Sequence, residues 1–317
     1  MAQGPPVPVE VAPEIAAAHR LRLRATYASL ATAAVLIAAK FAAWVDTGSV
    51  ALLSSLVDST VDAAASLVAF VAVRQAAMPP DREHRFGHGK AEPLAALGQA
   101  AFLLGSALFL TAEAVHRLVA PEPVEDTGTG IAVMLFSLVV TIALVAYQRH
   151  VVRRTGSLAI GADALHYRGD ILVNLGVIAA LLIQSTLDIP VIDPLFGGAV
   201  GAYIIYGAAK IARLALTQLM DRELPDAERA RVRQIAESHP AVTAVHDIRT
   251  RGAGPTAFIQ LHIEMDGSMS LLRAHEISDA VERELRAAFP HAEIIIHADP
   301  AGIEEYVAFP PPRAAAR

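Results

Sequence analysis

The stretch SLVDSTVDAAASLVAF, residues 55–70, is apolar enough to lie in a lipid bilayer and yet carries two aspartates. Asp58 and Asp62 are four residues apart, so a helix projects both side chains from one face. A charged side chain in the middle of a membrane costs at least about 2.5–3.5 kcal/mol on insertion scales. Two such charges one turn apart therefore indicate that the aspartates have a function. Other polar residues within the membrane are expected to take part in it.

The composition of the whole chain is typical of a membrane protein. Of the 317 residues 54% are hydrophobic and only 18% are charged, and the mean hydropathy is +0.43. Ordinary soluble domains have about 25% charged residues, so the apolar surplus must face something other than water. The net charge of −6 argues against a nucleic-acid-binding protein. Because cysteine is absent, disulfides and thiolate sites are excluded, and any metal must bind to carboxylates and to some of the 12 histidines.

Six windows are long and apolar enough to cross a bilayer, which takes about 20 residues. They are Ala25–Val45, Val50–Val73, Leu94–Leu118, Ile131–Val151, Leu158–Ile183 and Val191–Leu214. Residues 21–220 are therefore predicted to form a polytopic α-helical membrane domain with six transmembrane helices. Residues 1–20 lack the pattern of a cleaved signal and are predicted to be a disordered tail.

The basic residues predict the orientation of these spans. They flank the start of span one, the connections between spans two and three and between spans four and five, and the end of span six, with Arg117 as the exception. Basic flanks face the cytosol. Both termini are therefore predicted to be cytoplasmic.

The sequence pattern changes after Met220, and residues 221–304 are predicted to form a separate cytoplasmic domain. Helical spacing covers Ala227–Glu237 and Leu271–Phe289. Strand patterns cover Ala244–Arg251, Thr256–Met265 and Glu293–His297, the first two joined by a turn at Gly252, Gly254 and Pro255. This order predicts a ferredoxin-like αββαβ domain of the α+β class. Residues 305–317 are predicted to be a second disordered tail.

Span five carries the best partners for the two aspartates, in the run ADALHYRGD. His166 and Asp170 are also four residues apart, and two such pairs on facing helices can converge on one point. One imidazole and three carboxylates suit a four-coordinate divalent metal such as zinc, although iron, manganese, cadmium and cobalt are also compatible. The alternative is that these residues are polar helix-packing or pore-lining groups. Asp163 and Arg168 point to other faces of span five than His166, and the sequence assigns them no role; a pairing with each other and a position facing a lumen are the alternatives.

Three runs in this order, SLVDSTVD, FGHGKAEPL and ADALHYRGD, resemble the cation diffusion facilitator family. The resemblance extends from about Leu21 to Pro300 and implies a homodimer in a bacterial inner membrane. It implies that the transport site consists of Asp58, Asp62, His166 and Asp170. It also implies zinc as cargo, with iron or cadmium as alternatives, further zinc ions with structural or regulatory roles, and no organic cofactor.

Two further metal sites are expected on the strength of this resemblance. The loop PPDREHRFGHGKAE holds Asp81, His84 and His88, a set that on its residues alone is equally well explained as a solvated loop. Histidines in the C-terminal region are individually typical of surface or core groups. The resemblance assigns a metal site there to His246, His262, His275, His297 and Asp299, and leaves His291 as a surface residue.

The resemblance also bears on two packing features. It implies that Lys90 and Asp221 form an ion pair at the dimer interface, for which the alternative is an exposed pair contributing about 0–1 kcal/mol. Gly197 and Gly201 form a GxxxG step in span six, which favours close helix packing either between protomers or within one.

The function expected from these features is proton-coupled export of a divalent cation by alternating access, with no enzymatic activity. A membrane metallohydrolase would need an open coordination position and a general base, and the spans contain no HExxH motif. A metal-gated channel or a membrane metal sensor is a closer alternative, because a carboxylate site can also select ions in a pore.

Overall fold

The computed structural model describes residues 13–48, 50–119, 128–187, 192–254 and 256–303. Contacts divide the chain into a helical unit that ends at Leu219 and a second unit that begins at Met220. The elements are α1 Pro13–Thr47, α2 Val50–Ala76, α3 Ala91–Val119, α4 Gly128–Thr155, α5 Leu158–Leu187, α6 Ile192–Leu219, α7 Asp226–Glu237, β1 Ala244–Ala253, β2 Thr256–Met265, α8 Leu271–Ala288 and β3 Ala292–Pro300.

The six long helices are those expected from the hydrophobic windows, which confirms the helical membrane fold. Within the described residues, α1, α2, α3, α4 and α6 each contain a stretch long and apolar enough to cross a membrane. The first half of α5 is less apolar because it carries Asp163, Arg168 and Asp170. Many outward side chains of the bundle are large and apolar, among them Phe109 and Val139, as expected for a surface that faces lipid.

The beginning of α1 corrects one prediction. The helix starts at Pro13, so residues 13–20 are helical and not part of a disordered tail. Proline is favoured at the first position of a helix, and the alanines that follow are strong helix formers. The helix ends at Thr47 and is followed by Gly48, whose φ of +63° suits glycine and whose N–H donates to the carbonyl of Trp44 at 2.7 Å. Residues 1–12 and the predicted tail 305–317 lie outside the described residues.

The GxxxG step of α6 packs against α3 of the same chain. A Cβ atom at Gly201 would overlap the hydroxyl of Thr111, and one at Gly197 would lie 3.5 Å from the Cβ of Ala114. The missing side chains therefore allow α3 and α6 to approach closely within one protomer.

The C-terminal unit has the predicted αββαβ order, which confirms that part of the fold. Its strands lie in the order β1-β2-β3, with β1 antiparallel and β3 parallel to the central β2. Alternate residues of β2 (Ile259, Leu261, Ile263) are buried in the core together with residues of α7 and α8 such as Val232 and Val281. Because successive side chains of a strand point to opposite faces, His262 lies on the face away from this core. The strand β1 continues to Ala253, through Gly252, which was predicted to lie in the turn.

Candidate metal-transport site

The helices α2 and α5 bring three of the four predicted membrane ligands together. Asp62, His166 and Asp170 each offer a ligand atom, and these atoms lie within 4.8 Å of one another. The Nε2 of His166 lies 2.5 Å from Oδ1 of Asp62. The His166 and Asp62 side chains are only 13% and 15% exposed. This is a compact set of two carboxylates and one imidazole inside the helical domain, with donors that suit a divalent transition metal.

Asp58 does not join this set, although the sequence predicts that all four residues share one point. It lies one turn before Asp62 on α2 and is exposed. Residues four apart on a helix are separated by about 6 Å along the axis, so only one side chain of such a pair need reach a given point. The structure thus brings Asp62 to His166 and Asp170, whereas Asp58 lies one turn away and outside this set.

Asp163 has a structural explanation that the sequence did not give. It is 2% exposed and accepts hydrogen bonds from Ser29 at 2.6 Å, Ser66 at 2.9 Å and Gln148 Nε2 at 2.6 Å. These donors belong to α1, α2 and α4, so the carboxylate ties three helices to α5, one turn before His166. A buried carboxylate with three donors satisfies the rule that buried charges are hydrogen-bonded.

The partners of Asp163 are Ser29, Ser66 and Gln148, so of the two alternatives left open for Asp163 and Arg168, mutual pairing is not the one that the structure shows. Arg168 lines a groove of about 430 Å³ between α5 and α6, together with Phe196 and Tyr203. Asp163 and Arg168 lie on different faces of α5 because residues five apart on a helix are rotated by about 140° from one another.

A cavity of about 450 Å³ adjoins the membrane site. It is lined by α2, α3 and α5, and its wall includes His166, Asp163 and Gln99 among mostly apolar side chains. The Nε2 of Gln99 donates to the carbonyl of Ala65 at 2.7 Å, which fixes this wall between α2 and α3. His166 therefore has open space beside it within the helical domain.

Lys40 of α1 is a polar residue of this region that the search for motifs missed. Its ammonium donates to Ser59 Oγ at 2.7 Å and to the carbonyl of Ser55 at 3.1 Å. The signal that could have found it is a single lysine inside an otherwise apolar span.

The loop between α2 and α3 gathers the three residues predicted there. Ligand atoms of Asp81, His84 and His88 lie within 4.8 Å of one another. Backbone N–H groups of His84, at 2.6 Å, and Glu83, at 2.9 Å, donate to Asp81 Oδ1 and hold the pKa of Asp81 below its usual value. The carboxylate is therefore anionic at neutral pH. Its contribution to loop stability is lost only as the pH falls below the usual aspartate pKa of about 3.9 and through the lower folded value.

The residues of the predicted C-terminal site are placed side by side by the register of the three strands. His246 of β1 is paired with His262 of β2, and His262 is paired with His297 of β3, so three histidines form one row across the sheet. The buried carboxylate of Asp299 lies 2.8 Å from His262, 3.1 Å from His297 and 3.5 Å from His246. His246, His262 and Asp299 form a set with ligand atoms within 4.8 Å, and His297 lies at its edge.

Two acidic residues of this sheet were not predicted, and one predicted histidine lies elsewhere. Glu264 is 3.3 Å from His246 and Asp247 is 3.8 Å from His262. His275 lies on α8, is 68% exposed and pairs with Asp279 at 3.6 Å. It is therefore not brought to the row of histidines within this chain. Glu264 could have been found because it shares the strand face of His262, two residues away.

The ion pair between Lys90 and Asp221 stays a prediction. In the helical unit, the Lys90 ammonium donates to the carbonyl of Leu219 at 3.3 Å. In the second unit, Asp221 accepts from Arg251 at 3.3 Å.

Comparison with known proteins identifies the family. A family model described as the cation efflux transmembrane domain matches residues 26–220, and one described as the cation efflux protein, cytoplasmic domain, matches residues 224–301. The chain therefore belongs to the cation efflux family, which confirms the resemblance carried by the three sequence runs. It is a multi-pass membrane protein of a family of cation transporters.

Individual relatives cover almost the same length. The cation-efflux pump FieF of Serratia proteamaculans (strain 568) is 47% identical over 284 residues, 90% of this chain and 94% of that protein. The FieF of Salmonella agona (strain SL483) is 46% identical with the same coverage. A solved structure of CzrB in its zinc form is 34% identical and covers 27% of this chain and 99% of its own, with a TM-score of 0.26.

Proposed function

We propose that this protein exports divalent cations, with zinc as the principal cargo and iron or cadmium as further cargoes, in exchange for protons. The observation that carries the proposal is the convergence of Asp62, His166 and Asp170 from α2 and α5 inside an apolar helical domain. Membership of a cation transporter family supports a transporter over a metallohydrolase. The FieF relatives are cation-efflux pumps by name, which supports efflux as the direction.

The chemistry of the donors couples the ion to protons. Carboxylates and imidazole must lose their protons before they bind a metal, so metal affinity falls as the pH falls. A site open to a neutral cytosol loads the ion. When the same site opens to a more acidic exterior, protons bind to the ligands and displace the ion.

Proton exchange also limits the charge that moves. Each net charge that crosses 100 mV involves about 2.3 kcal/mol. A returning proton offsets part of the +2 charge that leaves. In this proposal the helices alternate between inward-open and outward-open states of a homodimer in a bacterial inner membrane, with both termini in the cytosol.

The sheet cluster and Asp58 have supporting roles. The cluster of His246, His262 and Asp299 binds zinc as a regulatory or structural ion when cytosolic zinc rises. Asp58 approaches the ion during part of the cycle as a fourth ligand, which its place one turn from Asp62 allows.

The test is zinc uptake into inverted membrane vesicles under an imposed pH gradient. Asp62→Asn removes one ligand charge without a change in size, and we expect uptake to fall by about 100-fold or more because structural zinc sites bind with about 10–16 kcal/mol spread over four ligands. Asp46→Asn, at the exposed end of α1, is the matched control and should transport normally. Normal uptake by Asp62→Asn would remove the membrane site from the mechanism.

The same vesicles separate the proposal from its alternatives. Zinc flux that follows the membrane voltage but ignores the pH gradient would favour a channel. Zinc binding that depends on Asp62 without any flux would favour a sensor.

A further inference from the structure

Lys40 lies within the apolar span of α1, and its side chain reaches towards α2. The ammonium donates to the hydroxyl of Ser59 at 2.7 Å and to the carbonyl of Ser55 at 3.1 Å. Ser59 is 1% exposed and follows Asp58 directly in the sequence. Lys40 is therefore attached to the turn of α2 that carries the first aspartate of the transport motif.

The surroundings of Lys40 are acidic. The carboxylates of Asp62, Asp170 and Asp58 all lie within electrostatic range of its ammonium. In the described part of the chain, however, the hydrogen-bond partners of Lys40 are a hydroxyl and a carbonyl, not a carboxylate. The lysine thus adds a positive charge beside the site and leaves the ligand oxygens available to an ion.

The charges of Lys40 and the three aspartates around it, Asp58, Asp62 and Asp170, balance when one divalent ion is counted; Asp163 is satisfied by its own three hydrogen-bond donors and is not in this sum. Three carboxylates contribute −3, the ammonium contributes +1, and a bound divalent cation contributes +2, so the sum is zero. Without the lysine the loaded site would be net negative in an apolar domain, where an uncompensated charge is costly. A fixed cation a short distance from the ligands also repels the bound ion and so weakens its binding.

We propose that Lys40 is a positioning residue of the transport site whose fixed positive charge lowers the affinity for the cation enough to permit its release. The inference rests on the proposed transport function. The competing explanation is that Lys40 only ties α1 to α2. The two explanations predict opposite changes in affinity, since loss of a tether loosens the site and loss of a positive charge tightens it.

The experiment uses the full chain in lipid nanodiscs and measures zinc binding by competition with a fluorescent chelator at about pH 8, where proton competition is weak. The membrane-site component is the part of the isotherm that Asp62→Asn removes, which separates it from the loop and sheet clusters. Lys40→Met removes the charge and keeps the length, Lys40→Arg keeps the charge, and Ser59→Ala removes the hydroxyl partner. Lys210→Met, on an exposed position of α6, is the matched control. The maximal rate of zinc transport is measured in proteoliposomes for the same variants.

For Lys40→Met we expect the dissociation constant of the membrane site to fall by about tenfold or more, because one unit charge is removed from the neighbourhood of the ion. The maximal rate should fall as well, because the ion leaves more slowly. Lys40→Arg should restore both values, and Ser59→Ala should change affinity less than Lys40→Met. Weaker binding together with slower transport in Lys40→Met, or no change in either, would overturn the proposal.

Two outcomes concern folding and the underlying function. If Lys40→Met does not insert into the membrane, Lys40→Gln replaces it, and unchanged or weaker zinc binding by that variant would overturn the proposal equally. If Asp62→Asn removes no component of the isotherm and transport persists, the proposed transport site fails, whatever Lys40 does.

Discussion

Asp62, His166 and Asp170 in the helical domain can be compared with His246, His262 and Asp299 on the C-terminal sheet. Both sets combine imidazole and carboxylate, and in both the ligand atoms lie within 4.8 Å of one another. The helical set is assembled from residues four apart, whereas the sheet set is assembled from one row of paired strands. The same donors are thus brought together by two different periodicities.

The charged neighbours of the two sets differ: the helical set has a lysine beside it as well as Asp58, whereas the sheet set has two acidic residues, one of them paired with Arg249 at 2.9 Å. Lys40 lies close enough to the helical set to act on its carboxylates. Glu264, 3.3 Å from His246, and Asp247, 3.8 Å from His262, add negative charge to the sheet set. A cation beside the ligands favours release, and anions beside the ligands favour retention. This difference matches the roles proposed for them, since a transport site must release its ion in every cycle and a regulatory site need not.

The largest expected effect would test whether only the helical set carries the ion across. Asp170→Asn should lower the initial rate of zinc transport by about 100-fold, because one of a few metal ligands is lost. Asp299→Asn, the same chemical change on the sheet, should leave transport at saturating zinc within about threefold, since a regulatory ion tunes the rate without being part of the path. Flux into proteoliposomes measures both. Equal losses in the two variants would mean that the sheet set is as necessary as the helical one.

An effect of intermediate size would establish that the sheet set binds metal. We expect His262→Ala to weaken zinc binding by roughly 10–100-fold or more, because the loss of a residue that only supports a metal ligand already costs about that much. Calorimetry on the full chain carrying Asp62→Asn isolates the binding that remains outside the membrane site. His291→Ala provides the control, because His291 is not part of the row. If His262→Ala bound zinc as tightly as this control, the row of histidines would have no role in binding.

The sequence predicted the helices and strands because their periodicities are local. Hydrophobic windows identified six helices, and alternation in Thr256–Met265 identified the strand that carries His262. Spacing also selected Asp62, His166 and Asp170. It could not decide between Asp58 and Asp62, because both lie on one helix face and only the packing of α2 against α5 determines which side chain reaches His166.

The remaining features of the sites depend on tertiary contacts. The partners of Asp163 come from three other helices, so no pattern within ADALHYRGD contains them. The alignment of His246 and His297 with His262 depends on the register of one antiparallel and one parallel pairing. Lys40 stands alone in its span without a spacing that marks it. Residues whose partners lie on other helices or strands can be identified only from the three-dimensional structure.

The smallest expected effect concerns the negative charge beside the sheet set. Glu264→Gln keeps the size of the side chain and removes the charge 3.3 Å from His246. Glu264 is partly exposed, and a solvent-screened charge pair contributes up to about 1 kcal/mol, so zinc binding at the sheet should weaken by roughly fivefold or less. Glu293→Gln, on an exposed position of β3, is the control. The weakening should shrink as salt is added, because exposed charges are screened. A change of the same size in high salt would mean that Glu264 acts as a direct ligand, and the electrostatic contrast between the two sites would then rest on Lys40 and Asp247 alone.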